Sequence, residues 1–83
     1  MSKITRGEFN DVVKKKVEER MEVPSGYDFL REDGLLFDDY SLDSLDVMEL
    51  ILEFEDIYHI KVENSKIHNI RSAKDLFALV NED

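Results

Sequence analysis

Ser44 lies where the first turn of a long helix is predicted, directly after Asp43. A serine at a helix start is often only a cap, but here Asp43 can fill the capping position. The Ser44 hydroxyl is then left pointing to solvent. Unpaired backbone N–H groups and the positive end of the helix dipole favour an attached phosphate at that position. The pattern predicts that Ser44 carries a covalent group.

Acidic residues surround this serine. Ten of them lie between residues 32 and 56 with no Lys or Arg among them, whereas the whole 83-residue chain has a net charge of -9. The negative charge is therefore local. It disfavours nucleic acid as a partner, because phosphates would be repelled, and favours protein partners that present Lys or Arg.

Three main helices are predicted around the serine. The first has an N-cap at Thr5 with a capping box to Glu8 and ends before Pro24. The second is capped by Asp43 and runs to about residue 58, and the last is capped by Ser72. A short helix or turn is expected within residues 62–69. The fold class expected is all-α, a small antiparallel bundle of three main helices plus a short additional helix.

The connection over residues 24–42 is long for so small a domain. We expect its apolar side chains to anchor it to the core, and a short helical turn within it is possible. The anchoring residues expected are Leu30, Leu35, Leu36 and Phe37.

The second main helix has two apolar faces when its residues are placed about 100° apart. The core face holds Val47, Leu50, Ile51, Phe54, Ile57 and Tyr58. The opposite sector is acidic, with Asp46, Glu49, Glu53 and Asp56. A separate apolar stripe, which begins beside Ser44, consists of Leu45, Met48 and Leu52. An apolar stripe beside acids is typical of a protein contact surface, although the loop or the short helix could instead cover it.

Length and composition exclude several classes. Eighty-three residues predict one domain over residues 1–83. There is no cysteine, no apolar run long enough to span a membrane, and no signal-peptide core in the first residues. We therefore expect a soluble, cytoplasmic protein, with no nucleic acid or membrane as partner, and a monomer.

No catalytic or metal-binding residues are expected. The two histidines, His59 and His68, are not paired by any motif with a nucleophile. The acids of residues 38–46 lack the alternating ligands, central glycine and final glutamate of a calcium loop.

Residues 43–50, Asp-Ser-Leu-Asp-Val-Met-Glu-Leu, resemble the Asp-Ser-Leu-Asp-x-x-Glu-Leu signature of acyl carrier proteins. Residues 53–56 and 60–62 also resemble the end of that family's second helix and the segment after it. The resemblance extends over nearly the whole chain, because the helix lengths and the long first loop are similar too.

This resemblance implies a carrier. A phosphopantetheinyl transferase would move phosphopantetheine from coenzyme A onto Ser44, and the terminal thiol of that arm would hold an acyl group as a thioester, in fatty-acid, polyketide or related biosynthesis. Acyl-transferring and acyl-modifying enzymes would dock through basic patches. The residues they would contact are Asp43, Leu45, Asp46, Met48, Glu49, Leu52, Glu53 and Asp56. In many family members the acyl chain is sheltered between the helices.

One departure stands close to the motif. The family usually has Leu-Gly shortly before its Asp-Ser pair, whereas this chain has Tyr40-Ser41. Loss of the glycine is expected to alter the path of the loop and its fit to a transferase, which favours a specialised carrier, for instance in a polyketide pathway.

Two alternatives stay open. An aminoacyl or peptidyl carrier uses the same arm on the same fold. An acidic helical adaptor would bind a basic partner without ever being modified. Modification of Ser44 separates the adaptor from both carriers, and the cargo separates the carriers from each other.

Overall fold

The computed structural model describes residues 4–81. Within them are three longer helices and two helices of a single turn each: α1 (Arg6–Val17), α2 (Phe29–Glu32), α3 (Ser44–Tyr58), α4 (Asn64–Ile67) and α5 (Ala73–Val80). Helix α1 packs against α2 and α3, and α5 packs against α2 and α3. The predicted all-α bundle is confirmed, and the turn suspected in the long loop is α2.

The starts of the three longer helices follow the predicted capping chemistry. The Thr5 hydroxyl accepts a hydrogen bond from the Glu8 N–H at 3.2 Å, and the Glu8 carboxylate accepts one from the Thr5 N–H at 3.0 Å. The same reciprocal box begins α3 at Asp43 and α5 at Ser72. Each cap satisfies donors that the helix leaves unpaired and is worth about 1 kcal/mol.

One hydrophobic core joins the helices, and aromatic rings lie at its centre. Phe9 of α1 stacks on Phe54 of α3, with ring centroids 5.6 Å apart, and meets the edge of Phe77 of α5 at 5.1 Å. Both Phe9 and Phe54 are fully buried. The core side of α3 is therefore held by α1 and α5, which leaves its other side for solvent or partners.

One apolar residue expected on the core side is exposed. Ile57, placed in the core face of α3, has 46% of its surface accessible. It lies about 60° around the helix from Phe54, in the last turn. Met21 is also exposed, at 41%, because α1 ends at Val17 and Met21 follows in a turn.

Only part of the long connection is anchored as predicted. Leu30 and Leu36 are buried, but Leu35 and Phe37 are 42% and 43% exposed. Leu35 forms an isolated antiparallel bridge with Ser72. Residues 36–39 then form a turn, closed by a hydrogen bond from the Asp39 N–H to the Leu35 carbonyl at 2.8 Å, in which Leu36 points into the core and Phe37 does not.

None of the helices formed by residues 4–81 has both the length and the apolar character needed to cross a membrane.

Candidate functional site

Ser44 is the first residue of α3, and Asp43 is the residue that caps the helix. An Asp43 carboxylate oxygen accepts from the Asp46 N–H at 2.8 Å, and an Asp46 oxygen accepts from the Asp43 N–H at 3.1 Å. Ser44 is exposed, and its side chain makes no hydrogen bond to the rest of residues 4–81. The hydroxyl is therefore free for chemistry, as the capping argument predicted.

An apolar pocket of about 180 Å³ adjoins this serine. It lies where the start of α3 faces α4 and the loop before α3. Apart from the Ser44 hydroxyl and one imidazole, its walls are apolar; the lining residues are Phe37, Ser44, Val47, Met48, Ile67, His68 and Ile70. Such a pocket has room for a short aliphatic group.

The second apolar face of α3 is present. Leu45 is 64% exposed and Leu52 57%, while Met48 is 37% exposed and also lines the pocket. Neither the long loop nor α4 covers the stripe, apart from this partial cover over Met48. An apolar strip of this kind beside charged residues is typical of a protein contact surface.

The acidic side of α3 is less uniform than the helical wheel implied. Glu49, Glu53 and Asp56 are exposed, and so is Asp43, but Asp46 is only 4% exposed. The placement of Asp46 on an exposed acidic sector is therefore wrong. Its carboxylate turns back to complete the capping box, where it also meets a cation from the segment after α1.

That cation is Arg20, whose guanidinium lies 2.8 Å from an Asp46 oxygen and 3.8 Å from Asp43. One turn earlier, Lys16 Nζ lies 2.8 Å from Glu49 Oε1. The sequence analysis predicted neither of these contacts. The two cations are four residues apart, whereas the acids they meet, Asp46 and Glu49, are three apart, so no spacing in the sequence identifies these contacts.

Hydrogen bonds to the acids shift their protonation. The bond from the Asp43 backbone N–H lowers the pKa of Asp46, and Arg20 acts in the same direction. Asp28, the cap of α2, accepts a hydrogen bond from the Asn10 side chain and forms an ion pair with Arg6 at 2.6 Å. These contacts lower the pKa of Asp28 to about 2, and the bond from Asn10 has the largest effect. Both carboxylates therefore stabilise the fold in their ionised form.

Acid should weaken the fold through these groups. The folded-state pKa of Asp28 lies below its ordinary value of 3.8, so its contribution is complete above that pH and is lost as the pH falls towards 2. We expect an Asp28→Asn variant to be less stable than the native chain at pH 6, with the gap closing between pH 4 and pH 2. Urea unfolding across this range measures it.

An Asp38→Asn variant is the control for the acid experiment. Asp38 is an exposed loop acid that makes no hydrogen bond or ion pair with residues 4–81. It should show no pH-dependent gap. A gap for Asp28→Asn that stays constant from pH 6 to pH 2 would contradict the assigned linkage.

The Tyr40-Ser41 pair has a structural explanation. Tyr40 is buried, with its ring edge against Phe29 at 5.2 Å and its hydroxyl 3.0 Å from that of Tyr27. Burial raises its pKa, and the Tyr27 bond adds to this. Its hydroxyl also approaches Gly34 so closely that a Cβ there would lie 2.5 Å away. Tyr40 therefore anchors the loop before α3.

Ser41 has φ of +57°, in the left-handed region that favours glycine. The backbone at this position thus has a conformation suited to the glycine that the family usually has there, although the side chain is that of serine. A non-glycine residue in that region costs roughly 1–2 kcal/mol, in part offset by the flexibility of glycine in the unfolded chain.

Ser41→Gly should stabilise the protein by about 0.5–1 kcal/mol, since it removes this strain at an exposed position. Urea unfolding gives the difference. Ser25→Gly is the matched control, because Ser25 is exposed in a loop without a positive φ and should gain nothing. A Ser41→Gly protein less stable than the native one would show that the serine is not strained.

Comparison with known proteins points to one family. The model of the phosphopantetheine attachment site matches residues 11–80. The acyl carrier protein of Zymomonas mobilis is 30% identical over 70 residues, which cover 84% of this chain and 87% of that protein. That of Thermotoga maritima is 28% identical over 76 residues, 92% of this chain and 91% of that protein.

A third match is shorter. The acyl carrier protein of Buchnera aphidicola is 31% identical over 51 residues, which cover 61% of this chain and 65% of that protein. No solved structure matches the chain.

The helical bundle and these matches define a small carrier domain with a covalently attached phosphopantetheine. The chain belongs to the acyl carrier protein family. Members of this family are in general non-catalytic. They are modified by a phosphopantetheinyl transferase and interact with enzymes that handle acyl groups.

Proposed function

We propose that Ser44 is the residue to which phosphopantetheine is attached, and that the protein carries acyl intermediates as thioesters on this arm in fatty-acid, polyketide or related biosynthesis. The observation that carries the proposal is the free, exposed Ser44 hydroxyl at the first turn of α3, inside the region that the attachment-site family matches.

The residues around Ser44 fit such a group. Its hydroxyl oxygen would form the phosphodiester bond when the transferase cleaves the pyrophosphate of coenzyme A, with the nucleotide as leaving group. The neighbouring N–H groups at the start of α3 and the helix dipole favour the phosphate charge. Asp43 occupies the cap, so the modification removes no hydrogen bond from the fold.

The thiol that carries the cargo must come from the arm, because the chain contains no cysteine. The pocket beside Ser44, at about 180 Å³, offers apolar walls to part of a short acyl chain. This favours an aliphatic cargo over a charged aminoacyl group, which would be poorly solvated there. An aminoacyl or peptidyl carrier is the second candidate, and the identity of the cargo decides between them.

Partners are proposed to dock on the exposed side of α3. The contact would combine the apolar stripe of Leu45, Met48 and Leu52 with acids along the same helix. Exposed fractions of 64% and 57% at Leu45 and Leu52 support this. The full set proposed is Asp43, Leu45, Asp46, Met48, Glu49, Leu52, Glu53 and Asp56, in which buried Asp46 would act by charge rather than by contact.

Incubation with coenzyme A and a broad-specificity transferase, followed by intact mass measurement, tests the proposal. The expected result is the addition of one phosphopantetheine group per chain. Absence of modification by every transferase tried would favour an unmodified acidic adaptor. A second experiment addresses the cargo. The protein is loaded from acyl-coenzyme A or from aminoacyl-coenzyme A, and the turnover of partner enzymes is compared for the two loaded forms.

A further inference from the structure

Cations from α1 and from the turn after it pair with only one half of the acidic surface of α3, the half near Ser44. Lys16 Nζ lies 2.8 Å from Glu49, and the Arg20 guanidinium lies 2.8 Å from Asp46 and 3.8 Å from Asp43. The acids in the half near Ser44 are thus already paired within the chain.

The far half of the surface is different. Glu53 and Asp56 are exposed and make no ion pair or hydrogen bond with residues 4–81. They lie about 14 Å and 18 Å along the helix axis from Ser44, at 1.5 Å per residue. The unneutralised charge is therefore displaced from the serine by two to three helical turns.

Lys16 is held in place rather than loosely attached. Its side chain is only 16% exposed, while that of Glu49 is 49% exposed, and Lys16 also lies 3.6 Å from Glu19. The hydrogen bond to Glu49 is the main cause of a raised pKa for Lys16, so it stays cationic at neutral pH. The Glu49 side of this pair faces solvent, so the pair contributes little to stability, but it cancels the local charge that a partner would meet.

We propose that Lys16 determines where basic partners bind on α3, by neutralising Glu49 and leaving Glu53 and Asp56 as the charged contacts. The partner this fits is a protein surface with an apolar patch for Leu45 and Leu52 and a cationic group that reaches the far half of α3. The inference rests on the proposed docking surface and adds a specificity-determining residue outside α3.

Loading kinetics with a broad-specificity transferase at low salt test this. Glu53→Gln should lower kcat/KM about fivefold through slower association, whereas Glu49→Gln should lower it less than twofold. Lys16→Gln should raise kcat/KM about threefold, since it restores the Glu49 charge. In the Lys16→Gln background, Glu49→Gln should then cost as much as Glu53→Gln.

Lys15→Gln is the matched control. It changes the net charge equally, on the same helix, but Lys15 is exposed and makes no ion pair with residues 4–81. An equal gain in kcat/KM for Lys15→Gln and Lys16→Gln would mean that only the net charge matters, and it would overturn the proposal. Equal losses for Glu49→Gln and Glu53→Gln in the native background would do the same.

A binding measurement separates this inference from the attachment of the arm. Titration with a pentalysine peptide, followed by backbone amide shifts, should perturb Glu53 and Asp56 in the native protein and spread to Glu49 only in Lys16→Gln. If no variant is loaded by any transferase, the proposed function fails while the peptide result still decides the role of Lys16. Peptide shifts at Glu49 in the native protein would reject that role.

Discussion

Ser44→Ala is expected to abolish loading with phosphopantetheine completely, while Ser41→Ala still loads. Both serines precede a leucine, so a Ser-Leu pair alone does not choose between them. Ser44 begins α3, where N–H groups and the helix dipole meet a phosphate, and its hydroxyl is free. Ser41 is exposed as well, but it lies in the loop before the cap, away from the N–H groups and dipole of the helix start. The readout is peptide-level mass spectrometry after incubation with coenzyme A and a transferase.

The fold should survive the Ser44 change, because loss of one exposed hydroxyl changes stability by less than about 0.5 kcal/mol. Equal urea midpoints for the native and Ser44→Ala proteins are therefore the required control, so that lost loading reports chemistry and not unfolding. Modification that persists in Ser44→Ala would remove Ser44 as the attachment residue. Loss in both variants would instead point to an altered loop, since Ser41 has a strained backbone.

The features that sequence predicted best are those fixed by near neighbours along the chain. Each capping box joins residues three apart, such as Thr5 and Glu8, so its chemistry is complete within one turn. The same holds for the exposure of Ser44, which follows from Asp43 taking the cap. Predicted helix starts at residues 5, 43 and 72 are confirmed for this reason.

The features that sequence missed depend on how the helices meet. A helical wheel places Asp46 among the exposed acids, but its capping bond turns the carboxylate inward, and Arg20 then covers it. Lys16 reaches Glu49 only because α1 lies beside α3. No spacing rule within one helix identifies a partner 33 residues away.

The loop before α3 shows a third kind of difficulty. The absence of a glycine at Ser41 predicted an altered path, whereas the backbone there has the left-handed conformation that glycine favours. The residue before Ser41 is the buried Tyr40, whose ring packs against Gly34 and Phe29. Tertiary packing thus holds a conformation that local preference opposes.

Phe54→Ala is expected to cost roughly 3–5 kcal/mol of folding free energy, a large part of the stability of so small a domain. The side chain is fully buried, and its ring stacks on Phe9 at 5.6 Å and on Tyr58 at 6.2 Å. Truncation therefore removes the contact that joins α1 to α3 and leaves a cavity between them. Urea unfolding measures the loss.

Ile57→Ala is the control on the same helix. Sequence periodicity placed Ile57 on the core face together with Phe54, but it is 46% exposed, so its truncation should cost less than about 1 kcal/mol. The pair distinguishes the observed core from the one that periodicity implies. Similar losses for the two variants would mean that Ile57 is buried in solution, and a negligible loss for Phe54→Ala would mean that α1 and α3 do not pack through their phenylalanines.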